Sequence, residues 1–254
     1  MSVLRNIRLL IAFDGTDYSG WQRQKDAATI QGEIESRLIV MTGEQIMLHG
    51  AGRTDAGVHA EGMVANFHTA STIHPLAFFN GLNSMLPPEI RILRADQADL
   101  SFHARFSAKG KHYLYRLHTG PVLMPQHRRY CLHHRAAIDT SAVRACLSLI
   151  CGTHDFASFE NSGSRDKNSI DGRGSVRTIF AADLQQTGEH EYVFSFIGDG
   201  FLRQMVRNIV GTLLEAGRGK LAVDAFQRVL QARNRTAAGP TAPARGLTLK
   251  EVLY

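Results

Sequence analysis

The feature that most restricts the fold is a change of hydrophobic period within residues 7 to 43. Residues 7 to 13, IRLLIAF, are almost continuously apolar and predict a buried strand. Residues 29 to 43, TIQGEIESRLIVMTG, have the period of an amphipathic helix that Thr29 is placed to cap. The apolar face of this helix would comprise Ile30, Ile34, Leu38 and Met41. A strand followed by a helix of this kind indicates a fold that contains both kinds of element.

The alternation continues along the chain and predicts an α+β fold. In the first half we expect strands at 46 to 49, 63 to 69 and 90 to 94, and a helix at 74 to 86. In the second half we expect helices at 139 to 150, from 201 onwards and at 222 to 232, and strands at 176 to 185, 191 to 197 and 246 to 254. The similar order of elements predicts two related halves, residues 1–105 and 106–254, although no strict sequence repeat is visible.

Two segments show little hydrophobic period. HTGPVLMPQHRRY, at 118 to 130, contains two prolines and is typical of a connection between halves. Residues 160 to 175 contain one bulky apolar residue, Ile170, and predict either a solvated loop or a basic finger that orders on RNA.

The net charge is compatible with a nucleic-acid partner or merely with a basic surface, and the composition predicts a cytoplasmic protein. The formal charge is +6, and 23 of the 29 basic residues are arginine, whose planar fork suits phosphates and bases. The apolar run at 9 to 13 is too short for a membrane span or a signal sequence. Three cysteines without a C-x-x-C pair predict reduced thiols, not a disulfide framework.

The nine residues GRTDAGVHA, at 52 to 60, place an aspartate among glycines and other small side chains. Glycine permits backbone angles closed to other residues and lets a ligand approach closely, so Asp55 is expected on an exposed turn. The positive charge of Arg53 favours the ionised carboxylate, which would then serve as a nucleophile or base. The alternative is that Asp and Gly occur here only because they favour turns.

The segment AKGKHYLYR, at 108 to 116, interleaves basic and aromatic side chains. On a strand, Tyr113 and Tyr115 share one face. A tyrosine beside Lys111 could stack on an unpaired base whose phosphate the lysine holds. The alternative is an ordinary half-buried strand tyrosine.

The segment GDGFLRQMVRNIVGTLLEAG, at 198 to 217, predicts a helix that begins near Phe201. Arg203 and Arg207 would lie one turn apart at the edge of its apolar face. Close to the helix N-terminus they could hold an anion, or they could simply extend along the margin of the core.

Twelve histidines raise the question of a metal site. None occurs in an H-E-x-x-H pattern or beside paired cysteines, so surface or supporting histidines are favoured over zinc ligands. The sequence also lacks a Walker loop and a dinucleotide-binding fingerprint.

Six segments together resemble the motifs of the TruA family, tRNA pseudouridine synthase A. They occur in the order of that family and cover nearly the whole chain. The segments are DGTDYSGWQRQ (14–24), GRTDAGVHA (52–60), FHARFSAKGKHYLYR (102–116), VRTI (176–179), FLRQMVRNIVGTLLEAG (201–217) and APARGLTL (242–249).

The resemblance implies an isomerase that converts uridine to pseudouridine at positions 38, 39 and 40 of the tRNA anticodon stem-loop. It implies the pseudouridine synthase fold, with two related halves, an extended and mostly antiparallel sheet flanked by helices, and a cleft between the halves. It also implies a homodimer that binds tRNA.

By motif, Asp55 matches the nucleophile of the family, and Tyr113 matches the residue that stacks on the target base. Arg53 matches the arginine associated with base flipping, and Arg207 matches a second basic residue of the active site. We add Arg203 and Lys111 as substrate-binding candidates, although Arg203 departs from the family pattern. Because the reaction neither oxidises, hydrolyses nor phosphorylates, no cofactor or metal is expected.

Three alternatives stay open at this point. The chain could be a related pseudouridine synthase with another RNA target, or a non-catalytic RNA-binding protein. It could also be a metal-dependent hydrolase built on its histidines.

Overall fold

A computed structural model describes residues 4–161 and 172–254. These residues form ten strands and five α-helices. In chain order they are β1 (Arg5–Phe13), α1 (Ile30–Thr42), β2 (His49–Gly50), β3 (His59–Thr69), α2 (Pro75–Met85), β4 (Ile90–Ala98), β5 (Gly110–His118), β6 (Leu132–His133), α3 (Thr140–Ile150), β7 (Gly152–Asp155), β8 (Val176–Gln186), β9 (Glu191–Gly198), α4 (Met205–Gly217), α5 (Val223–Ala232) and β10 (Leu247–Leu253).

The chain divides into two compact units. Unit 1 comprises residues 1–109 and 248–254, and unit 2 comprises residues 110–247. The sequence-based boundary after residue 105 differs because β10 pairs with β3, with Thr248 opposite His59. In addition, the Lys109 amide donates to the Leu253 carbonyl at 2.8 Å. These backbone hydrogen bonds attach both segments to unit 1.

In unit 1 the strands run in the order β4-β1-β3-β10, and β2 pairs with β3 at Ala65 and Asn66. β1 is antiparallel to β3 and β4, whereas β10 is parallel to β3. α1 begins at the predicted cap, where Thr29 accepts a hydrogen bond from the Gly32 amide. Its predicted apolar residues Ile30, Ile34 and Leu38 are fully buried. Helix α2 packs against β4, and its Phe78 also meets Phe67 of β3 edge to face at 5.4 Å.

In unit 2 the antiparallel strands run in the order β5-β9-β8-β7, and β6 is parallel to β5. α3 contacts β8 as well as α4 and α5, so the helices form one layer against the sheet. Alternate residues of β9, Phe194 and Phe196, are fully buried and their rings stack at 6.4 Å. This alternation is what a strand covered on one face requires.

Two predicted elements have different bounds in the structure. Residues 46 to 48 are not a strand, because the Leu48 backbone is hydrogen-bonded to the side chains of Gln31 and Glu35 instead. α4 begins at Met205 and not near residue 201, because Gln204 has a left-handed backbone with φ of 60°. A right-handed helix cannot continue through that residue.

The other predicted strands and helices occur close to the expected positions. Of the predicted polar segment, residues 162–171 lie outside the described residues. All three cysteines are free, and burial raises the pKa of the Cys131 and Cys146 thiols to about 11. Within the described ranges, no helix is both long and apolar enough to cross a membrane.

Candidate active site

Asp55 lies in the loop that joins β2 to β3 in unit 1. The Val58 amide donates to the Asp55 carbonyl at 3.2 Å, and Gly57 has a φ of 76°, which closes a tight turn directly after the aspartate. A positive φ at the third position of such a turn favours glycine. Asp55 is partly exposed and Arg53 is exposed. The turn therefore lies at the surface of unit 1.

The backbone of this loop is held by the segment from Asp14 to Trp21. The Trp21 amide donates to the Thr54 carbonyl at 3.2 Å, and the Gly57 amide donates to the Tyr18 carbonyl at 3.3 Å. These bonds come from either side of Asp55 and restrain the peptide units next to it.

Two glycines make this close approach of backbones feasible. A Cβ atom at Gly15 would lie 2.0 Å from the Val58 carbonyl oxygen, and one at Gly20 would lie 2.5 Å from that of Thr54. Gly20 also has a φ of 94°. The motif DGTDYSGW thus serves as a backbone cradle for the Asp55 loop, a role that sequence reasoning did not assign to it.

His59 connects the end of the loop to the same cradle. The imidazole is 4% exposed, and its Nδ1 lies 3.1 Å from Oδ1 of Asp14 and 3.2 Å from the Gly15 amide nitrogen. Sequence analysis did not single out His59. Its place at the end of the motif GRTDAGVHA was the available indication.

The cradle is in turn attached to helix α1 by two buried polar side chains. Oε1 of Gln31 accepts hydrogen bonds from the Arg23 amide and from the Gln22 side chain, each at 2.9 Å. Glu35, 3% exposed, accepts from the Gln31 side chain and the Leu48 amide, and its other oxygen lies 3.2 Å from Nη1 of Arg23. A buried carboxylate is tolerated here because hydrogen bonds and a cation compensate it.

In unit 2, strand β5 carries the two candidate tyrosines. They share the buried face as predicted, with Tyr113 7% and Tyr115 0% exposed. The Tyr115 hydroxyl donates to the Pro243 carbonyl at 2.9 Å, and burial raises the pKa of this phenol. Tyr115 is therefore a structural tyrosine that stays neutral.

Tyr113 is more buried than a half-exposed strand residue. Its ring meets that of Phe201 edge to face at 5.2 Å. Stacking of a base on Tyr113 would require a neighbour such as Phe201 to move. Lys111, two residues earlier on β5, is partly exposed.

Arg207 is the third residue of α4 and its side chain is oriented by the main chain. Its Nε donates to the Ala242 carbonyl at 2.8 Å, while the Ala242 amide donates to the Arg207 carbonyl at 3.0 Å. Arg203 does not lie one helical turn away as predicted, because it precedes the left-handed Gln204. Arg203 is exposed in the turn before the helix, and its carbonyl accepts from the Asn161 amide at 3.2 Å.

Residues 238 to 243, which carry the carbonyl that orients Arg207, are held by Arg235. The Arg235 guanidinium donates to Gly239 and Thr241 at 3.0 Å each and to the Asn208 side chain at 3.1 Å. Asn208 is fully buried, and its side-chain oxygen also accepts from the Thr241 hydroxyl at 2.6 Å. Sequence analysis missed this arginine because a planar donor fork has no periodic signature.

The family model described as tRNA pseudouridine synthase matches residues 9–107 and 146–254. The chain belongs to the tRNA pseudouridine synthase family. The matched residues include Asp55, Arg53 and Arg207, whereas Tyr113 and Lys111 fall between the two matched ranges.

Full-length relatives agree with this assignment. The tRNA pseudouridine synthase A 1 of Desulfotalea psychrophila is 59% identical over 251 residues, covering 99% of this chain and 100% of the relative. The tRNA pseudouridine synthase A of Acetivibrio thermocellus is 46% identical, and that of Geotalea uraniireducens is 44% identical, with the same coverage.

Family membership confirms the α+β pseudouridine synthase fold and the predicted enzyme class, an isomerase. Members of the family convert uridine to pseudouridine. In the described part of the chain, no three His, Cys, Asp or Glu side chains are grouped as metal ligands would be.

Proposed function

We propose that this chain converts uridine to pseudouridine at positions 38, 39 and 40 of the tRNA anticodon stem-loop, with Asp55 as the catalytic carboxylate. The observation that carries the proposal is the Asp55 turn, which places this partly exposed residue on a backbone held from both sides. The relatives named tRNA pseudouridine synthase A support the substrate.

The reaction breaks the bond between ribose and N1 of uracil, rotates the bound base and joins the sugar to C5. Asp55 either attacks the ribose, attacks the ring or removes a sugar proton, and each route needs the ionised carboxylate beside the nucleotide. A rigid loop favours this chemistry because catalysis depends on groups held in the reactive geometry. The small residues around Asp55 leave room for a nucleotide that has left its stack.

The other candidates receive roles that depend on the same substrate. Arg53, exposed two residues before Asp55, occupies the space that the flipped nucleotide leaves. Arg207 balances charge near the reacting base, and Tyr113 holds the detached uracil once Phe201 has moved. Lys111 and Arg203 contact phosphates of the tRNA.

We further propose that the enzyme works in the cytoplasm as a homodimer. The isomerisation leaves no oxidised, hydrolysed or phosphorylated product, so the chemistry calls for no nicotinamide, metal or ATP.

The decisive experiment incubates the protein with unmodified tRNA and maps pseudouridine at every uridine. We expect modification at positions 38 to 40 by the unaltered chain and none by Asp55→Asn. The variant should unfold at the same temperature and bind tRNA normally, because the amide has the shape of the carboxylate. Asp26→Asn makes the same chemical change at an exposed position and should leave activity unchanged.

Three outcomes would contradict parts of the proposal. Turnover by Asp55→Asn comparable to that of the unaltered chain would remove Asp55 from its role. Pseudouridine at other positions would indicate another RNA target. Binding of tRNA by the unaltered chain without any pseudouridine would favour a non-catalytic RNA-binding protein.

A further inference from the structure

The loop between β4 and β5 contributes to a row of closely spaced, mutually tilted rings at the surface of unit 1. Phe106 is 77% exposed, and its ring lies 4.3 Å from that of His103. His103 lies in turn 4.9 Å from the ring of His49. We call His49, His103 and Phe106 the ring row. Single exposed apolar residues are common on proteins, but an exposed ring backed by two others forms a continuous aromatic surface.

The backbone under the ring row is pinned by two fully buried asparagines. The Asn6 side chain donates to the carbonyls of Asp99 and Phe102 at 2.8 Å each. The Asn66 side chain accepts from the Ala104 amide at 2.8 Å and donates to Asn6 at 2.9 Å. Buried amides are costly unless satisfied, so this pair holds the loop in one conformation.

A third contact, from the C-terminal residue Tyr254, completes the support. The Tyr254 hydroxyl donates to the Ala104 carbonyl at 2.7 Å, so both backbone polar groups of Ala104 are bonded to side chains. The ring of Tyr254 also lies 5.2 Å from that of Phe102. The loop therefore presents Phe106 from a rigid base.

The turn at the tip is closed around His103. Its Nδ1 accepts from the Arg105 amide at 3.1 Å, and its amide and carbonyl bond to Ser107. Burial lowers the pKa of His103. The ring is held in the turn by the hydrogen bond that its Nδ1 accepts from the Arg105 amide, and it lies under Phe106.

The charges around the ring row favour an anionic, aromatic ligand. The exposed Arg105 guanidinium lies 5.8 Å from the centre of the Phe106 ring. Asp99, at the other end of the loop, accepts from the amide and hydroxyl of Ser101 in its own turn. A ring that stacks on bases beside an arginine that contacts phosphates is how proteins bind unpaired nucleotides.

We propose that the ring row and Arg105 form a second RNA-contact surface, on which an unpaired base of the tRNA stacks on Phe106 while Arg105 contacts a phosphate. The inference rests on the proposed function, which supplies the RNA. His49 belongs to β2, the strand that leads into the Asp55 loop, so the surface begins at the base of that loop. Phe106 is here a binding residue and takes no part in bond breaking.

The test compares tRNA affinity for three substitutions at residue 106. Phe106→Leu keeps an apolar side chain without an aromatic face, and both it and Phe106→Ala should weaken binding about tenfold, because stacking of one base contributes about 1–3 kcal/mol. Phe106→Trp should bind within about twofold of the unaltered chain. Phe180→Ala removes another exposed phenylalanine, 55% exposed on β8, and should have no effect.

Salt dependence and kinetics separate the two parts of the surface. Arg105→Ala should lower the slope of log affinity against log salt by about one, whereas Phe106→Ala should leave that slope unchanged. In steady-state assays Phe106→Ala should raise KM about tenfold without lowering kcat, since a base contact distant from the chemistry contributes uniform binding.

The outcomes distinguish this inference from the proposed function. One outcome would overturn the inference alone: the unaltered chain forms pseudouridine, and Phe106→Ala and Phe106→Leu both bind tRNA as tightly as it does. The ring row would then not contact RNA, and the proposed function would be unaffected. If the loss of affinity is accompanied by a changed sedimentation coefficient, the ring row is a contact between copies of the chain and the inference is overturned. Weakened binding at an unchanged sedimentation coefficient supports it.

Discussion

The Asp55 loop in unit 1 and residues 238 to 243 in unit 2 are both short segments that place a candidate active-site group, but they are held differently. The Asp55 loop meets its cradle main chain to main chain, through glycines. Residues 238 to 243 are held mainly by side chains, with the Arg235 guanidinium and the Asn208 amide at the centre. The first arrangement is sensitive to added atoms, and the second is sensitive to lost hydrogen bonds.

Unit 2 also contains a glycine that lies against backbone atoms, Gly211, which allows a direct comparison. A Cβ atom at Gly211 would lie 1.7 Å from the Pro240 carbonyl oxygen, closer than the 2.0 Å at Gly15. Both contacts are with backbone atoms, which cannot turn aside as a flexible side chain can.

The largest effect on stability is therefore expected from Gly211→Ala and Gly15→Ala. Each should lower the free energy of unfolding by on the order of 3 kcal/mol, because overpacking against backbone forces the segments apart. Urea unfolding monitored by circular dichroism would measure the loss. Both variants should also lose activity, since each segment positions a candidate active-site group.

Gly43→Ala and Gly219→Ala are the matched controls. Both glycines have a φ of 71°, and a Cβ atom would meet nothing within 4 Å, so only the backbone strain of about 1 kcal/mol is expected. Equal losses for Gly15→Ala and Gly43→Ala would show that close approach does not hold the Asp55 loop.

The next effect concerns the hydrogen bonds by which Arg235 holds residues 238 to 243 of unit 2. Arg235→Met should lower stability by about 2 kcal/mol, because several acceptors lose their donor. It should also lower kcat about tenfold with little change in KM, since small displacements of a positioned group reduce turnover strongly.

Arg233→Met is the control for this substitution. Arg233 is exposed and lies 3.2 Å from Asp155, and such surface ion pairs contribute less than about 1 kcal/mol. Arg235→Lys keeps the charge without the planar fork, and full activity in that variant would argue that charge and not geometry is what residue 235 supplies.

The smallest effects are expected when the hydroxyl of either tyrosine of β5 is removed. Tyr115→Phe removes the hydroxyl that donates to Pro243 and should cost about 1 kcal/mol of stability. Tyr113→Phe should reduce turnover only in part, because the ring that would hold the base is retained. Thermal unfolding of Tyr115→Phe and pseudouridine formation by Tyr113→Phe would check these two expectations. Complete loss of turnover in Tyr113→Phe would show that the hydroxyl of Tyr113, and not its ring alone, is required.

Much of the fold could be predicted from local pattern. The hydrophobic periods placed most helices and strands within a few residues. The predicted apolar face of α1 is buried at Ile30, Ile34 and Leu38, whereas Met41 is partly exposed. The errors arose where long-range contacts replaced local ones. Leu48 bonds to side chains of α1 instead of a neighbouring strand, and Gln204 adopts a left-handed backbone that delays α4.

The candidate site was predicted unevenly for the same reason. Asp55 and its turn follow from a short motif of glycines and small residues, which acts locally. The partners that hold the site lie far away in sequence, as with the Gly57 amide and Tyr18, or Asn208 and Arg235. Such pairs leave no periodic pattern in a single sequence.

The sequence by itself determined the α+β class, the family and the loop on which Asp55 lies, because period, composition and motif are properties of neighbouring residues. Only the tertiary structure decided that β10 joins unit 1, that Phe201 covers Tyr113, and that Arg235 holds the backbone around Ala242. Those outcomes depend on which distant backbone and side-chain groups satisfy one another's hydrogen bonds and fill one another's space, and that is settled only when the chain is packed.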